Sequence, residues 1–431
     1  MKIETPQILW NSEGDKGINA ALNSVSMLES GFSDHADDEN APDRRYGTVM
    51  ATAGNTHIIN LWRLSFPRKT NKNNSSSIYQ TQNISTKIEY LCSLTRQEQA
   101  VNAVAFSPDG LHLATGGETG SIVVWSVPPS KRGNGNGRHY WSEVTSEKDL
   151  SVRIISRGGQ GICDISWSAD SKRFMAGTID QTVFVCEDKY HDANHQLAPG
   201  QVPVDSDWQV VFFNDKDHSQ YVQGVAYDPL GVYLASMCSD RTVRVYARKT
   251  PSKSKKKVLR PANSGGTSDG QTNECIPPEE QQRSVDQWLT ESKLDLQRSK
   301  VIKFRRTPVQ EDANVMSSSH NSESSSSNNN NNNNTAKDQS QTQVTRRHLY
   351  ADESTLESFF RRLSWTTDGA FLVTPAALWH ADQGDPNTKS PPTFATYLFA
   401  RHKFDEPYKV LSGLEKVCAK SDMVWLFYEY L

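Results

Sequence analysis

Three stretches of the chain repeat one alternation of apolar and polar positions without a gap. They are VNAVAFSPDGLHLATGGETGSIVVW (residues 101–125), ICDISWSADSKRFMAGTIDQTVFVC (162–186) and VQGVAYDPLGVYLASMCSDRTVRVY (222–246). Each reads as an apolar run, a turn, a second run, another turn and a third run, the pattern of short strands in a meander. Asp109, Asp170 and Leu230 hold equivalent places in the first turn, Thr119, Asp180 and Asp240 in the second, and Trp125, Cys186 and Tyr246 close the third strand. Such a meander is apolar on both faces and needs a neighbour stacked on each, which predicts the inner part of a propeller blade.

Two looser copies flank the three. In residues 46–62, Met50, Ala51 and Thr52 match Leu113, Ala114 and Thr115; in residues 360–373, Asp368 holds the first turn, and the closing strand FATYLFA (394–400) follows an insertion. IEYLCSL (88–94), VRII (152–155) and WQVVFF (208–213) read as outer strands. The repeat is about 60 residues long, above the roughly 40 to 45 of a standard WD40 blade. The excess lies in polar insertions such as RGNGNGRHYW and KYHDANHQLAPG, which project from a propeller at little cost to its core. The fold class predicted is therefore all-β, a WD40-like β-propeller of about five complete blades plus the start of a sixth at MVWLFYEY (423–430). Residues 1–248 hold blades 1 to 4, residues 249–349 a low-complexity insertion, and residues 350–431 blade 5 and the start of blade 6.

Composition changes the picture at that insertion. Hydrophobic residues make up 35% of the chain and the mean hydropathy is −0.66, so part of it cannot bury a core. Residues 249–349 fit: they hold KSKKK, then a run of Ser and Asn, and few aromatics, and are expected to be disordered. Within them SKVIKFRR (299–306) alternates enough for an outer strand of the next blade.

A net charge of −3 argues against a chain held as a whole to nucleic acid, and no direct sequence-specific contact with nucleic acid is expected. The six cysteines are scattered without metal-ligand spacing, so they read as reduced intracellular thiols and not as a metal or disulfide framework. No leader-like or membrane-spanning run occurs, so a soluble, non-secreted protein is expected, with no membrane partner. GGETGS (116–121) is a turn between strands rather than a phosphate cradle, and GxSxG and HExxH are absent. His191, His195 and His218 fall in polar insertions and are read as insertion residues, not ligands. Neither enzyme activity nor a cofactor is expected.

YVQGVAYDPLGVYLASMCSDRTVRVYAR (221–248) and SFFRRLSWTTDGAFLVTPAALW (358–379) resemble the fourth and fifth blades of the WD-repeat subunit of chromatin assembly factor 1, and TYLFARHKFDEPYKVLSGLEKVCAK follows that family's order of segments. Hir-type histone chaperones share similar motifs; TPAALW and the Tyr246 ending favour chromatin assembly factor 1. The resemblance implies a seven-bladed fold and a nuclear, non-catalytic scaffold that delivers histone H3-H4 to replicated DNA. The implied partners are the large and small subunits of chromatin assembly factor 1, H3-H4, and an anti-silencing-type histone chaperone, whose docking segment lies in the C-terminal part of relatives. KFRRTPV (303–309) superficially resembles that segment, but reads better as a fraying outer strand. A Hir-type replication-independent subunit and a ubiquitin-ligase substrate receptor are the alternatives. The receptor's expected Trp-Asp-x-Arg ending is replaced here by Tyr246, Ala247, Arg248 and Lys249. Gly-His dipeptides are nearly absent, so the His-Asp-Ser-Trp network that braces standard blades is expected to be incomplete.

Candidate partner-binding residues are Phe359, Arg361, Arg362, Arg241 and Tyr221. Strand alternation sends Phe360 and Arg361 to opposite faces, so at least one arginine of the pair is expected at the surface to meet an acidic partner. The competing reading packs the phenylalanines between blades and pairs the arginines with a neighbour. Arg241 follows a tight turn at a face where propellers meet partners, whereas Asp180 and Asp240 read as turn residues accepting backbone N–H groups. Lys253, Lys255, Lys256 and Lys257 form a candidate nuclear import signal.

Overall fold

The computed structural model describes residues 12–13, 18–19, 22–28, 32–33, 45–67, 87–132, 137–156, 160–195, 204–248, 296–302, 304–308, 344–356, 358–379 and 391–414. Five antiparallel blades account for most of them. Strands β1 (Ser12–Glu13) and β2 (Ile18–Asn19) pair only with each other. Blade 1 runs outward through β3 (Leu22–Met27), β5 (Arg45–Gly54), β6 (Ile59–Pro67) and β7 (Lys87–Leu94), with β4 (Phe32–Ser33) on one end of β5. Blade 2 is β8 (Val101–Phe106), β9 (His112–Gly117), β10 (Ser121–Ser126) and β11 (Ser151–Ser156). Blade 3 is β12 (Ile162–Trp167), β13 (Arg173–Thr178), β14 (Val183–Asp188) and β15 (Trp208–Asn214).

Blade 4 is β16 (Val222–Tyr227), β17 (Tyr233–Cys238), β18 (Thr242–Arg248) and β19 (Leu296–Ile302). A separate ribbon follows, β20 (Phe304–Pro308) against β21 (Val344–His348). Blade 5 is β22 (Ser364–Trp365), β23 (Phe371–Trp379), β24 (Thr393–Ala400) and β25 (Lys409–Leu414). The α-helices among the described residues are short: α1 (Gly137–Tyr140) and α2 (His191–His195), both in insertions.

The turns form for local reasons that repeat from blade to blade. Asp109 accepts from the Leu111 amide (2.9 Å), Asp170 from that of Lys172 (3.0 Å) and Asp368 from that of Ala370 (2.9 Å). In blade 4, where Leu230 replaces the turn aspartate, Asp228 accepts instead from the amides of Leu230 and Tyr233 (3.0 and 3.1 Å). Gly110, Ser171, Gly231 and Gly369 take the left-handed conformation that closes this turn.

Inner strands β3, β8, β12, β16 and β22 neighbour one another in that order. The apolar clusters lie between consecutive blades: Leu61 and Val123 with Trp125 and Val104, Ile122 and Val124 with Trp167 and Phe174, Val183 with Val225, and Met237 with Trp365 and Phe399. Each fully buried side chain of this kind contributes roughly 1.5–3 kcal/mol, so stacking of blades holds the disc together. Hydrogen bonds add register: Ser24 and Ser26 accept from the Val104 and Phe106 amides (3.2 and 3.0 Å), and Asp164 and Ser166 from those of Val225 and Tyr227 (2.9 Å each).

The described residues hold five blades; MVWLFYEY, expected to open a sixth, lies outside them. In the inner strand of blade 1, Leu22, Val25 and Met27 are exposed. Two expectations are corrected in the segment 249–349. Strands β19, β20 and β21 lie within it, and its remainder, 249–295, 303 and 309–343, is outside the described residues, apart from Leu349 itself. SKVIKFRR does not edge the next blade: its first part belongs to β19, which pairs with β18 of the preceding blade, from Val243 opposite Ile302 to Arg248 opposite Leu296. The free edge of β18 supplies the backbone partners that this polar stretch needs.

Candidate docking surface at the seam of blades 4 and 5

Residues 358–363 run beside the start of β16, and the sequence explains how closely. The Arg361 amide donates to the Gln223 carbonyl (3.3 Å). At the next residue the chain has Gly224, where a Cβ would fall 2.0 Å from the Arg361 carbonyl oxygen. Only a residue without a side chain lets the two backbones meet there.

This approach fixes where the two arginines go. Arg362 points to the axis of the disc, where Nη1 donates to the Asn23 carbonyl of blade 1 (2.7 Å) and Nη2 to the Asn102 carbonyl of blade 2 (2.6 Å). Its Nε lies 3.1 Å from the Asp164 carboxylate of blade 3, and its guanidinium stacks 4.2 Å above the Phe360 ring. One side chain thus ties blade 5 to three others. Arg361 is fully buried and donates from Nη1 to the Ala351 carbonyl (3.0 Å), with no hydrogen bond at Nε or Nη2 among the described residues. Burial pulls its guanidinium below the usual arginine range, with Glu353 opposing. The expectation that one of the pair reaches the surface is corrected: both are inside.

The surface here is aromatic. Phe359 is 38% exposed and Tyr221 is 40% exposed, with ring centroids 6.1 Å apart. Phe359 also packs edge-on against Phe360 at 5.3 Å. A continuous stack therefore runs from Tyr221 at the surface through Phe359 and Phe360 to Arg362 at the axis. Arg241 closes the same end of the seam. It holds a left-handed φ of 64°, donates from Nε to the Tyr350 carbonyl (2.8 Å) and lies 3.8 Å from the Asp352 carboxylate. The Ser239 amide of that turn bonds the Tyr221 carbonyl (3.0 Å), which ties the turn to the residue that carries the exposed ring. Asp240 accepts from the Thr242 amide (3.0 Å), as expected of a turn aspartate. The structure gathers Tyr221, Arg241, Phe359 and Arg361 around one seam and sends Arg362 inward. The lysines 253 and 255–257 lie outside the described residues.

Sequence reasoning missed the residues that brace the blades. A hydroxyl recurs at one place in the second strand of four blades, Thr52, Thr115, Ser236 and Thr374, with Ala176 in blade 3. The partner varies: Trp62 Nε1 donates to Thr52 (2.8 Å), Gln97 Nε2 and Trp125 Nε1 to Thr115 (3.1 and 3.3 Å), His218 Nε2 meets Ser236 (2.7 Å), and the Tyr350 hydroxyl donates to Thr374 (3.0 Å). His218, read from sequence as an insertion residue, is buried. With Cys238 and Asp240 it brings three ligand types within 4.8 Å of one another. Arg244 already supplies the cation, 3.3 Å from His218 Nδ1 and 3.9 Å from Asp240. Burial pushes the Cys238 thiol up to about 12. Burial opposes ionisation of Asp240, but hydrogen bonds from His218 and Thr242 hold its carboxyl well below the usual range. The group is a brace inside blade 4.

The family model for the CAF1B/HIR1 β-propeller domain matches residues 1–275. Among curated proteins, the chromatin assembly factor 1 subunit FAS2 homolog of Oryza sativa subsp. japonica is 26% identical over 367 residues, covering 85% of this chain and 50% of the relative. A chromatin assembly factor 1 subunit of Schizosaccharomyces pombe is 28% identical over 390 residues, covering 85% of this chain and 63% of the relative. The protein HIR1 of Cryptococcus neoformans var. neoformans serotype D is 23% identical over 251 residues, 57% of this chain and 23% of the relative. The chain spans about half the length of the chromatin assembly factor relatives it matches.

Proposed function

This chain belongs to the CAF1B/HIR1 β-propeller family, and from that premise we propose that it is a non-catalytic scaffold subunit of a nuclear histone H3-H4 chaperone for replication-coupled nucleosome assembly. Its partners are then the large and small subunits of chromatin assembly factor 1, H3-H4 and an anti-silencing-type chaperone. The observation that carries the reading is the family match together with a propeller whose stacked blades present a rigid exposed aromatic pair, Tyr221 and Phe359. A rigid surface loses little entropy on binding, and several such contacts linked on one disc raise effective concentration without a tight individual interface. The chromatin assembly factor 1 relatives of Oryza sativa and Schizosaccharomyces pombe align over 85% of the chain and that of Saccharomyces cerevisiae over 46%, against 57% for the HIR1 protein; the longer matches favour the replication-coupled subunit over the Hir type.

The test is affinity capture of this chain from nuclei, read by mass spectrometry. Recovery of both other chromatin assembly factor 1 subunits with H3 and H4 is expected. Recovery of ligase subunits, or of Hir-complex subunits alone, overturns the reading. Tyr221→Ala with Phe359→Ala is expected to reduce recovery of one subunit at least fivefold while the melting temperature stays within about 2 °C, since both side chains are partly exposed.

A further inference from the structure

Tyr221 and Phe359 hold the same place in their blades. Each lies nine residues before the first-turn position, Leu230 or Asp368, and the same count leads to Ala100 in blade 2 and Gly161 in blade 3. A ring therefore stands at this place in blades 4 and 5, and almost no side chain in blades 2 and 3. In three blades the turn between the second and third strands closes on this residue: the Glu118, Ile179 and Ser239 amides donate to the Ala100, Gly161 and Tyr221 carbonyls (3.0, 2.9 and 3.0 Å). These turns share one end of the disc with the rings. Neighbouring blades meet there, since a Cβ on Gly161 would fall 3.1 Å from the Glu118 Cα.

Charge at that end is one-sided. Residues 118–120, 179–181, 239–241 and 351–356 hold five Asp and Glu and a single cation, Arg241. Glu118, Asp352 and Glu353 are exposed. Arg241 is itself engaged, 3.8 Å from Asp352 and bonded to the Tyr350 carbonyl. With Arg361 and Arg362 inside, this end presents rings and carboxylates to a partner.

We propose that it holds a basic peptide, with one Lys or Arg side chain against Tyr221 and Phe359 and flanking cations beside Glu118, Asp352 and Glu353. The proposal rests on the contact role given above to the aromatic pair and names the chemistry of that contact. A cation is attracted to a ring face within about 6 Å of its centroid, and one seated between rings 6.1 Å apart reaches both. Ala100 and Gly161 let a peptide backbone lie close as it runs on toward Glu118. The same carboxylates repel an acidic peptide or a nucleic acid.

The test is fluorescence anisotropy of the purified full chain with a labelled peptide of alternating Lys and Ala, about twelve residues long, at several salt concentrations. Binding that weakens with salt is expected, and none to a Glu-Ala peptide of the same length. Tyr221→Ala/Phe359→Ala and Asp352→Asn/Glu353→Gln are each expected to weaken binding at least threefold. Tyr221→Leu/Phe359→Leu keeps apolar area without a ring face and is expected to lose as much as the alanine pair. Tyr221→Phe/Phe359→Tyr keeps both rings and is expected to bind within about twofold of the parent. Glu143→Gln/Glu406→Gln neutralises two exposed carboxylates beside the first turns, at the other end of the disc, and is expected to change binding less than about twofold. The proposal is overturned if the Lys-Ala peptide does not bind, if the alanine or leucine pair binds like the parent, or if the Glu143/Glu406 variant loses as much as the Asp352/Glu353 variant. Peptide binding needs no other subunit, so its absence overturns this inference alone, whereas failed capture of the chromatin assembly factor 1 subunits overturns the assignment above.

Discussion

Arg362 donates to two carbonyls on two blades and pairs with a carboxylate on a third. Its removal takes the positive charge away from the buried Asp164 carboxylate, which also accepts from the Val225 amide (2.9 Å). Breaking one side of a buried ion pair costs about 3–5 kcal/mol, so Arg362→Ala is expected to lower the midpoint of denaturant unfolding by a corresponding amount. An unchanged midpoint sinks the account of Arg362 as the tie between blades. Lysine is a poor substitute, since a single ammonium cannot span acceptors that a planar fork reaches at once. The same residue shows where sequence reading stopped. Alternation separates Phe360 from Arg361 but does not tell which side a neighbouring blade will cover. The equivalent place in the other four inner strands carries a bulge, at Leu22/Ser24, Val101/Ala103, Ile162/Asp164 and Val222/Gly224. A bulge inserts a residue and breaks the period of two, so a count of alternating positions fails at this end of the strand.

Within a blade, the recurring hydroxyl links the second strand to whatever partner the third strand or the preceding loop supplies. Gly-His dipeptides are nearly absent, and an incomplete network is what that absence predicts. Four blades nonetheless brace that hydroxyl, with an indole, a glutamine, a histidine or a tyrosine. Ser236→Ala leaves His218 Nε2 without its 2.7 Å partner in a buried site. It is expected to cost about 1–3 kcal/mol, seen as faster amide exchange across β17 and β18. The same exchange in β13, where Ala176 already stands at that place, is the internal comparison, and equal loss in both blades counts against a local brace. Aligning Thr52, Thr115, Ser236 and Thr374 is possible from sequence. Finding Gln97 and Tyr350 as their partners is not, because loop length varies and hydrogen bonding needs only position, not a motif.

At the scale of the whole molecule, stability depends on buried groups that must stay neutral. Burial lowers the His112 pKa from 6.5 to about 4, and its Nδ1 meets Ser126 Oγ at 2.7 Å. A histidine whose folded value is depressed is neutral in both states above its unfolded value, and its contribution is fully present there. As the pH falls from about 6.5 toward 4, the unfolded chain takes up a proton that the folded one does not, so stability declines through that window. His218 is lowered by burial as well and adds in the same direction. The melting temperature is expected to be flat from pH 8 to 7 and to fall progressively below about 6.5. His112→Gln is expected to flatten the profile between pH 6.5 and 4, and an unaltered slope in that variant refutes the assignment.

The chain's own pattern determined the repeated meander, the turn aspartates at Asp109, Asp170 and Asp368, and hence a propeller, because alternation and turn chemistry are local and each blade is one copy of the same small sheet. It also singled out Tyr221, Arg241, Phe359, Arg361 and Arg362 as candidate contact residues, in separate stretches of the chain. Only the tertiary structure decided which of them face water. That choice depends on how close one backbone passes to another, as Gly224 permits at Arg361, and on whether two distant carbonyls and a carboxylate converge on one guanidinium. Such convergence is set by stacking of whole blades, and contacts between residues hundreds of positions apart leave no period in the sequence to read.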